Sequence, residues 1–492
     1  MTTVSAATAA IAVRPDDLRA RARAALRAPA GRLVMVTAAT ALLAALKTPF
    51  WFQMGVILAA TSLLPERRRM LLLVGTIGWA FLYPPVDELL LARVAAPLDA
   101  GEWVAWWPVS MAAVWLLAFA FLWTARQFPT SPIARRPVLW LVGIAIALFA
   151  AARAPVAGPV GGPARVMLAA AAMAYAQYLW FFAFWVTENL SREKGQPLLR
   201  TYAWRPFWGF TGVPIGKGST YLDRTEAKDE EQLAKSQIAG LKLLLRAVFW
   251  TAVLIAVKRV VYGPTESLTK IPHVAPQALI PTYQMSLEAL VHGHPYPLHL
   301  RWAALICYFA LWVIYFTIFG HKVVAVARLA GFNIFRNTYR PFLATSIADF
   351  YNRIYYYFKE LLVQFFFYPT YLRYFKKRPK VRLFAATLAA AGLGNFLFHF
   401  LRTEDRILTH GLLDTLWFYR SYAVYALVLG VAISLSQIRS LANKGKEPSG
   451  VRRWLATAWV MLFFCLMCII EEPNERHTMS HYGAYFLSLF RP

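Results

Sequence analysis

The sequence predicts an all-α polytopic membrane protein. Of its 492 residues, 59% are hydrophobic and only 16% are charged, which is much less charge than a soluble protein of this size carries. Apolar runs of about 20 residues recur along the chain, and such runs are long enough to cross a bilayer. They lack the period-two alternation of barrel strands, and only helices or closed barrels satisfy the backbone in lipid. We therefore expect a helical bundle.

Eleven apolar stretches are candidate membrane spans. They cover residues 32–47, 51–64, 70–84, 104–125, 137–153, 164–187, 240–262, 300–320, 382–402, 417–437 and 453–470. The first three are short, so one of them could be tilted, re-entrant or misjudged. The predicted organisation is an N-terminal segment at 1–30, membrane helices at 31–188, a core at 189–402, and C-terminal helices with a tail at 403–492.

The basic residues indicate orientation in the membrane. The net charge is +27, which the positive-inside rule and attraction to anionic membrane lipid together explain. With the N-terminus in the cytoplasm, the basic loops near 66–69, 134–136, 192–205, 376–378 and 444–453 all lie on the cytoplasmic side. Because these bases occupy short loops between spans rather than one soluble face, they argue against nucleic-acid binding.

The N-terminal segment, residues 1–30, is rich in alanine and arginine. It contains Arg19, Arg21, Arg23 and Arg27 among small apolar residues. A cleavable signal peptide would show a clean apolar core followed by a small-residue cleavage site, and this segment shows neither. We expect a basic helix that lies on the cytoplasmic leaflet.

The cysteines and the outer histidines do not predict a metal centre. All three cysteines fall within apolar runs, where packing roles are more typical than disulfide or zinc binding: Cys307, Cys465 and Cys468. His292, His294 and His299 lie within the eight residues HGHPYPLH, but no cysteine or carboxylate accompanies them. Protein metal sites usually add such ligands, so we predict an ordinary exposed loop and no metal.

The segment 341–402 carries the main candidate site. Its first half is rich in aromatic and basic residues, and its second half, from Val381 to Leu401, is apolar and long enough to cross a bilayer. His399 lies in that second half, and an imidazole at hydrocarbon depth is a functional-site hypothesis. Asn395 is four residues earlier on the same helical face, where it could orient or hydrogen-bond the ring.

The order of these motifs resembles the membrane-bound O-acyltransferase (MBOAT) superfamily, and most closely its bacterial alginate O-acetylation and D-alanyl-transfer branch. The resemblance covers about residues 190–402, beginning with a Gly/Pro-containing polar loop. The first motif of that branch is matched by Asp349, Phe350, Tyr351 and Arg353, with Tyr355 in place of its histidine. The second motif supplies the catalytic histidine and is matched by His399, flanked by Phe398 and Phe400 in place of Trp and Gly.

The resemblance implies a bundle of about 11 transmembrane helices, with amphipathic or re-entrant helices around a central polar cavity. It implies transfer of an acyl group from a cytoplasmic thioester donor, acyl-CoA or acyl carrier protein, to a hydroxyl of a cell-envelope glycan, lipid or small molecule. No bound cofactor is expected, and the location is the bacterial inner membrane. His399 would be the general base, a role that suits histidine because the pKa of this residue type lies near working pH. Asn395 could orient that ring or stabilise the oxyanion, and Tyr355 could assist with a hydrogen bond.

Three further residues and two further functions stay open. Asp349, Asn352 and Arg353 could line the polar cavity, bind the donor's phosphate or cap an amphipathic helix. A transporter or flippase would also contain buried polar residues, although transporters often show repeats and paired broken helices, which this sequence lacks. A third alternative is an MBOAT-like scaffold whose altered motif has lost catalysis.

Overall fold

The computed structural model describes residues 15–82, 100–154, 161–191, 213–215, 217–263, 279–443, 448–473 and 475–491. In these ranges the chain is helical, apart from connecting turns and an isolated bridge between Glu226 and Phe332. The predicted all-α class is therefore confirmed. Residues 1–14 of the predicted N-terminal segment lie outside the described residues, as do the whole basic loop at 192–205 and residues 444–447 of the loop at 444–453.

Twenty-two α-helices follow one another along the described ranges. The first twelve are α1 (Pro15–Arg27), α2 (Pro29–Ala45), α3 (Trp51–Leu63), α4 (Arg68–Leu82), α5 (Ala100–Gln127), α6 (Pro132–Arg135), α7 (Pro137–Arg153), α8 (Gly161–Leu190), α9 (Ser219–Thr225), α10 (Glu230–Tyr262), α11 (Tyr283–Val291) and α12 (Leu298–Leu329). They are followed by α13 (Ile347–Ile354), α14 (Tyr356–Leu362), α15 (Tyr368–Arg373), α16 (Pro379–Leu388), α17 (Asn395–Phe400), α18 (Glu404–His410), α19 (Leu412–Phe418), α20 (Arg420–Ala442), α21 (Gly450–Met467) and α22 (Met479–Ser488). Two π-helical turns, Val363–Phe367 and Ala389–Gly394, join α14 to α15 and α16 to α17.

Seven helices in the described ranges are long and apolar enough to cross a membrane. They are Trp107–Gln127, Ala164–Leu190, α10, α12, Pro379–Phe400, α20 and α21. The bent pair α1–α2 makes an eighth if it is counted as one span. Each of the seven coincides with a span predicted from the sequence. The chain is therefore a multi-pass helical membrane protein.

The remaining predicted spans coincide with shorter helices. Among them, α2 and α7 have 17 residues each, α4 has 15 and α3 has 13. At about 1.5 Å per residue these helices are roughly 20–26 Å long, which is less than the ~30 Å hydrocarbon core of a bilayer. A total of eleven spans therefore stays a prediction.

The N-terminal helices bend sharply where a proline begins α2. Ala28 precedes Pro29 and adopts an extended conformation with ψ 140°, as steric clash with a following proline requires. The helix axes on either side meet at 107°. Arg23 and Arg27 of α1 both pair with Glu231, so α1 lies against the beginning of α10.

Two groups of helices position the candidate site. Helix α10 packs along α12, and α8 packs between α5 and α7 with most of its apolar surface buried. Helix α20 packs along α16 and the π-helical turn Ala389–Gly394. That turn also contacts the other π-helical turn, Val363–Phe367, so the segment before His399 is held between two neighbouring helices.

Candidate functional site

His399 lies among aromatic rings from three helices. Its imidazole is half-buried on α17, and its centroid lies 5.7 Å from the ring of Phe358, 5.2 Å from Phe398 and 4.9 Å from Tyr422. Phe358 belongs to α14 and Tyr422 to α20. The sequence predicted that His399 lies in an apolar stretch long enough to cross a bilayer, and the structure places it in such a helical stretch, Pro379–Phe400, with aromatic rings around it.

Asn395 lies one helical turn before His399 and is fully buried. The hydroxyl of Tyr422 donates a hydrogen bond to Asn395 Oδ1 at 3.1 Å, and Asn395 Nδ2 donates to the hydroxyl of Tyr351 at 3.5 Å. Tyr422 is also the residue whose ring contacts His399. Asn395 therefore orients a neighbour of the histidine, and Tyr351 connects the first sequence motif to the second.

Close helix packing holds this pair in place. A Cβ on Gly394 would lie 2.6 Å from the ring of Phe366, and a Cβ on Gly430 would lie 3.0 Å from the backbone nitrogen of Gly392. Only glycine allows backbones and rings to approach so closely. The π-helical turn Ala389–Gly394 leads directly into Asn395, and π-helical turns occur frequently at functional sites.

Glu471 is a candidate site residue that the sequence reasoning missed. It follows α21, is half-buried, and interacts electrostatically with Tyr351, Tyr422 and Tyr425. Burial and this carboxylate raise the pKa of the Tyr351 phenol, which therefore stays protonated. The position of Glu471 and Glu472 directly after the apolar run 453–470 is a signal that could have identified them.

Tyr355 packs against Phe358, which also contacts His399. It lies at the break between α13 and α14, and its ring centroid is 5.6 Å from the rings of Phe316 and Phe358. Burial raises the pKa of Tyr355 to about 12, although the charge of Arg402 opposes the shift. At neutral pH, Tyr355 can therefore donate a hydrogen bond but cannot act as a base.

Asp349 and Arg353 stabilise the start of α13. Arg353 Nε lies 2.8 Å from both carboxylate oxygens of Asp349, and the backbone N–H of Thr345 donates to Asp349 Oδ2 at 3.2 Å. Ser346 caps the helix by accepting from the Asp349 N–H at 3.1 Å. This is the helix-capping alternative from the sequence. Asn352 is exposed on the same helix, and roles for these residues in cavity lining or phosphate binding stay predictions.

The three histidines between the end of α11 and the first turn of α12 are exposed. His292, His294 and His299 all face outward, and His292 Nδ1 lies 2.7 Å from the carbonyl oxygen of Glu288. Within the ranges that the structure describes, no three histidine, cysteine or acidic side chains come together as a possible metal site. The reactive groups of the candidate site are therefore an imidazole, phenols, an amide and a carboxylate.

No protein-family model matches the sequence, and no curated protein matches it significantly. Membership in the MBOAT superfamily therefore stays an expectation from the motifs at residues 190–402. A function for this chain must be inferred from the chemistry and geometry of its own residues.

Proposed function

We propose that this protein is a membrane-embedded O-acyltransferase in which His399 is the general base. The observation that carries the proposal is the contact of the His399 ring with Tyr422, whose hydroxyl is hydrogen-bonded to the buried Asn395. Histidine is the side chain best suited to accept and return a proton at neutral pH. The helical stretch Pro379–Phe400, which contains His399, is also long and apolar enough to cross a bilayer.

The chemistry needs one proton carrier and one donor to the oxyanion. His399 accepts the proton of an acceptor hydroxyl while that oxygen attacks the thioester carbonyl. The resulting tetrahedral intermediate expels the thiolate, which takes the proton back from His399 and leaves as a thiol. The acceptor retains the acyl group as an ester. The neutral hydroxyl of Tyr355 is the candidate donor to the developing oxyanion.

The proposed setting is the bacterial inner membrane, with the N-terminus and the basic loops in the cytoplasm. The thioester donor, acyl-CoA or acyl carrier protein, would then approach from the cytoplasm. The acceptor would be a hydroxylated cell-envelope glycan, lipid or small molecule. In the full proposed topology, eleven spans would surround a polar cavity that contains His399.

The first experiment should identify the modified molecule. Mass spectrometry of envelope glycans and lipids, with and without the gene, should reveal an ester that depends on this protein. Reintroduction of a His399→Ala variant should not restore the ester, whereas a His410→Ala variant should, because His410 is exposed on α18. If the His399→Ala variant restores the ester fully, the proposed mechanism is wrong and a transport or scaffolding role is favoured.

A further inference from the structure

Two adjoining cavities lie beside α10 and α12, and their lining residues do not include the His399 cluster. The outer cavity has a volume of about 300 Å³ and contains six basic side chains and no acidic one among its lining residues: Arg23, Lys235, Lys242, Arg246, Arg328 and Arg336. The inner cavity has a volume of about 530 Å³, and Arg246 and Arg336 also line it. Ligand pockets typically have volumes of about 300–1,000 Å³.

Three of these six basic groups have no acidic partner among the described residues. Among the described residues, no carboxylate lies within ion-pair distance of Lys242, Arg246 or Arg336. The pKa of the Arg336 guanidinium is lowered by burial and by the charges of Arg246 and Arg340. Positive side chains that line the same cavity destabilise one another unless an anion lies between them.

The other three basic groups do have partners. Arg23 and Lys235 share the carboxylate of Glu231, at 3.3 Å and 3.4 Å, and Arg328 donates to the carbonyl of Ile334 at 3.0 Å and 2.6 Å. Because these partners are one carboxylate and one carbonyl oxygen, the six basic side chains leave the cavity with a strongly positive net charge. This arrangement differs from a basic loop, because the six basic side chains come from three helices and the segment after α12 and line one cavity.

The inner cavity adds a third arginine, Arg340, and a buried histidine to the two shared arginines. His321 of α12 lies at its wall and is only 7% exposed, and apolar groups such as Trp250 and Phe342 line the same space. An ionisable side chain within a membrane-length helix is a functional-site hypothesis. A ligand that fills both cavities would therefore place anionic groups beside the two shared arginines and a less polar part against Trp250 and Phe342.

We propose that the two cavities form one binding site for a ligand that carries phosphate groups, with Arg246 and Arg336 as the principal phosphate ligands. Arginine suits this task because its planar guanidinium donates two parallel hydrogen bonds to a phosphate. A soluble phosphate ester and an anionic lipid headgroup share this chemistry. The site is distinct from the His399 cluster, and ligand binding does not require that acyl transfer occur.

The test measures binding to the purified full-length protein in neutral detergent, with inorganic pyrophosphate as the probe. Wild-type protein should bind pyrophosphate and melt at a higher temperature in its presence. The Arg246→Gln/Arg336→Gln double variant should bind about 100-fold more weakly, because each charge-assisted contact contributes about tenfold or more. Without ligand, this variant should melt no lower than wild type, since a like-charge repulsion has been removed.

A matched variant controls for general loss of charge. Lys376→Gln/Lys377→Gln removes two positive charges from an exposed loop, and its pyrophosphate affinity should stay within about twofold of wild type. Retained affinity in the Arg246/Arg336 double variant would overturn the proposal. So would equal losses in both double variants.

A second measurement distinguishes the two sources of phosphate. Nanodiscs of phosphatidylcholine are compared with nanodiscs that also contain phosphatidylglycerol. If the anionic lipid raises the melting temperature of wild type but not of the Arg246/Arg336 variant, and competes with pyrophosphate, the occupant is a lipid headgroup. If only pyrophosphate binds, the occupant is soluble. Binding of neither probe would refute the site. This outcome is independent of the test of His399, because the binding experiment does not measure acyl transfer.

Discussion

The hydroxyl of Tyr422 donates a hydrogen bond to the side-chain oxygen of Asn395, and both groups are buried between α17 and α20. The ring of the same tyrosine lies 4.9 Å from the imidazole of His399. Asn395 therefore acts on the histidine through Tyr422. This makes Asn395 a positioning residue in the proposed mechanism, and the candidate oxyanion donor is instead Tyr355.

Replacing His399 with alanine should abolish acyl transfer while leaving the protein folded and inserted. General-base catalysis typically contributes about 10²–10⁴-fold, or roughly 3–5 kcal/mol of barrier. Acyl incorporation per mole of purified protein and a melting curve measure the two effects separately. A purely structural histidine would instead give lower stability with normal turnover of the folded fraction. Tyr355→Phe should reduce turnover less than His399→Ala does.

Replacing Tyr422 with phenylalanine should destabilise the protein by about 1–3 kcal/mol. The change keeps the aromatic ring but leaves Asn395 Oδ1 buried without its hydrogen-bond donor. Tyr368→Phe is the matched control, because Tyr368 is exposed and such a change usually costs less than about 0.5 kcal/mol. Denaturant unfolding in detergent provides the measurement. Equal stabilities for the two variants would contradict the proposed hydrogen bond.

Replacing Asp349 with alanine should lower stability by about 1 kcal/mol and leave the KM for the donor unchanged. The side chain accepts hydrogen bonds from Thr345 and Arg353, and such partly exposed pairs contribute about 0.3–1 kcal/mol each. Unfolding curves and donor titrations measure the two quantities. A raised KM at unchanged stability would instead favour the phosphate-binding role that the sequence left open.

The ion pair between Lys217 and Glu360 should give acid-dependent stability. Burial alone would disfavour the charged form of both side chains, but the ion pair outweighs burial. Contacts with Lys217 and Lys359 lower the pKa of Glu360. Contacts with Glu360 and Tyr356 raise the pKa of Lys217. The contribution of Glu360 is therefore present above its unfolded pKa, near 4.5, and is lost as pH falls through its folded value. The contribution of Lys217 to stability is present below its unfolded pKa of 10.5 and is lost as pH rises through its raised folded pKa.

Melting temperatures between pH 3 and pH 7 test this pair. Wild type should lose stability below about pH 4.5, and a Glu360→Gln variant should melt lower at pH 7 with a shallower acid-dependent decline. An Asp414→Asn variant is a suitable control, because Asp414 is an exposed carboxylate on α19. Parallel curves for wild type and Glu360→Gln would exclude a stabilising role for the ion pair.

Reporter fusions at Lys446 and Pro492 should give signals from opposite sides of the membrane. Of the helices described between these positions, α21 is long enough to cross, whereas the 10 residues of α22 span only about 15 Å. The basic loop that contains Lys446 should be cytoplasmic, and the C-terminus should be outside. Signals from the same side would show that the assigned number of spans is wrong.

The long helices could be predicted from sequence because membrane spans depend on local composition. A run of about 20 apolar residues must be helical in lipid, whatever its neighbours are. The shorter apolar runs, such as those at α3 and α7, could not be assigned as reliably. Whether a helix of 13 or 17 residues crosses, tilts or packs inside the bundle depends on the surrounding helices.

The candidate site could be predicted only where its residues are close in sequence. The four-residue spacing of Asn395 and His399 placed them on one helical face, whereas the ion pair between Asp349 and Arg353 was not predicted, although their spacing is also four residues. Tyr422 and Glu471 come from more distant segments, so no local pattern links them to His399. His321 was overlooked for the same reason, because the residues that enclose it lie on other elements.

The π-helical turn Ala389–Gly394 accommodates one extra residue in the helical stretch that leads to Asn395 and His399. A regular α-helix advances by about 100° per residue, and a π-helical turn behaves as a single inserted residue. An in-frame deletion of one codon within this turn would therefore convert it to regular α-helix and leave Asn395 and His399 facing the same neighbours. Deletion of Leu397 from α17 would instead rotate His399 around the helix axis by roughly 100° relative to Asn395. Every side chain of the cluster would survive in the gene product, yet the imidazole would point at a different neighbour.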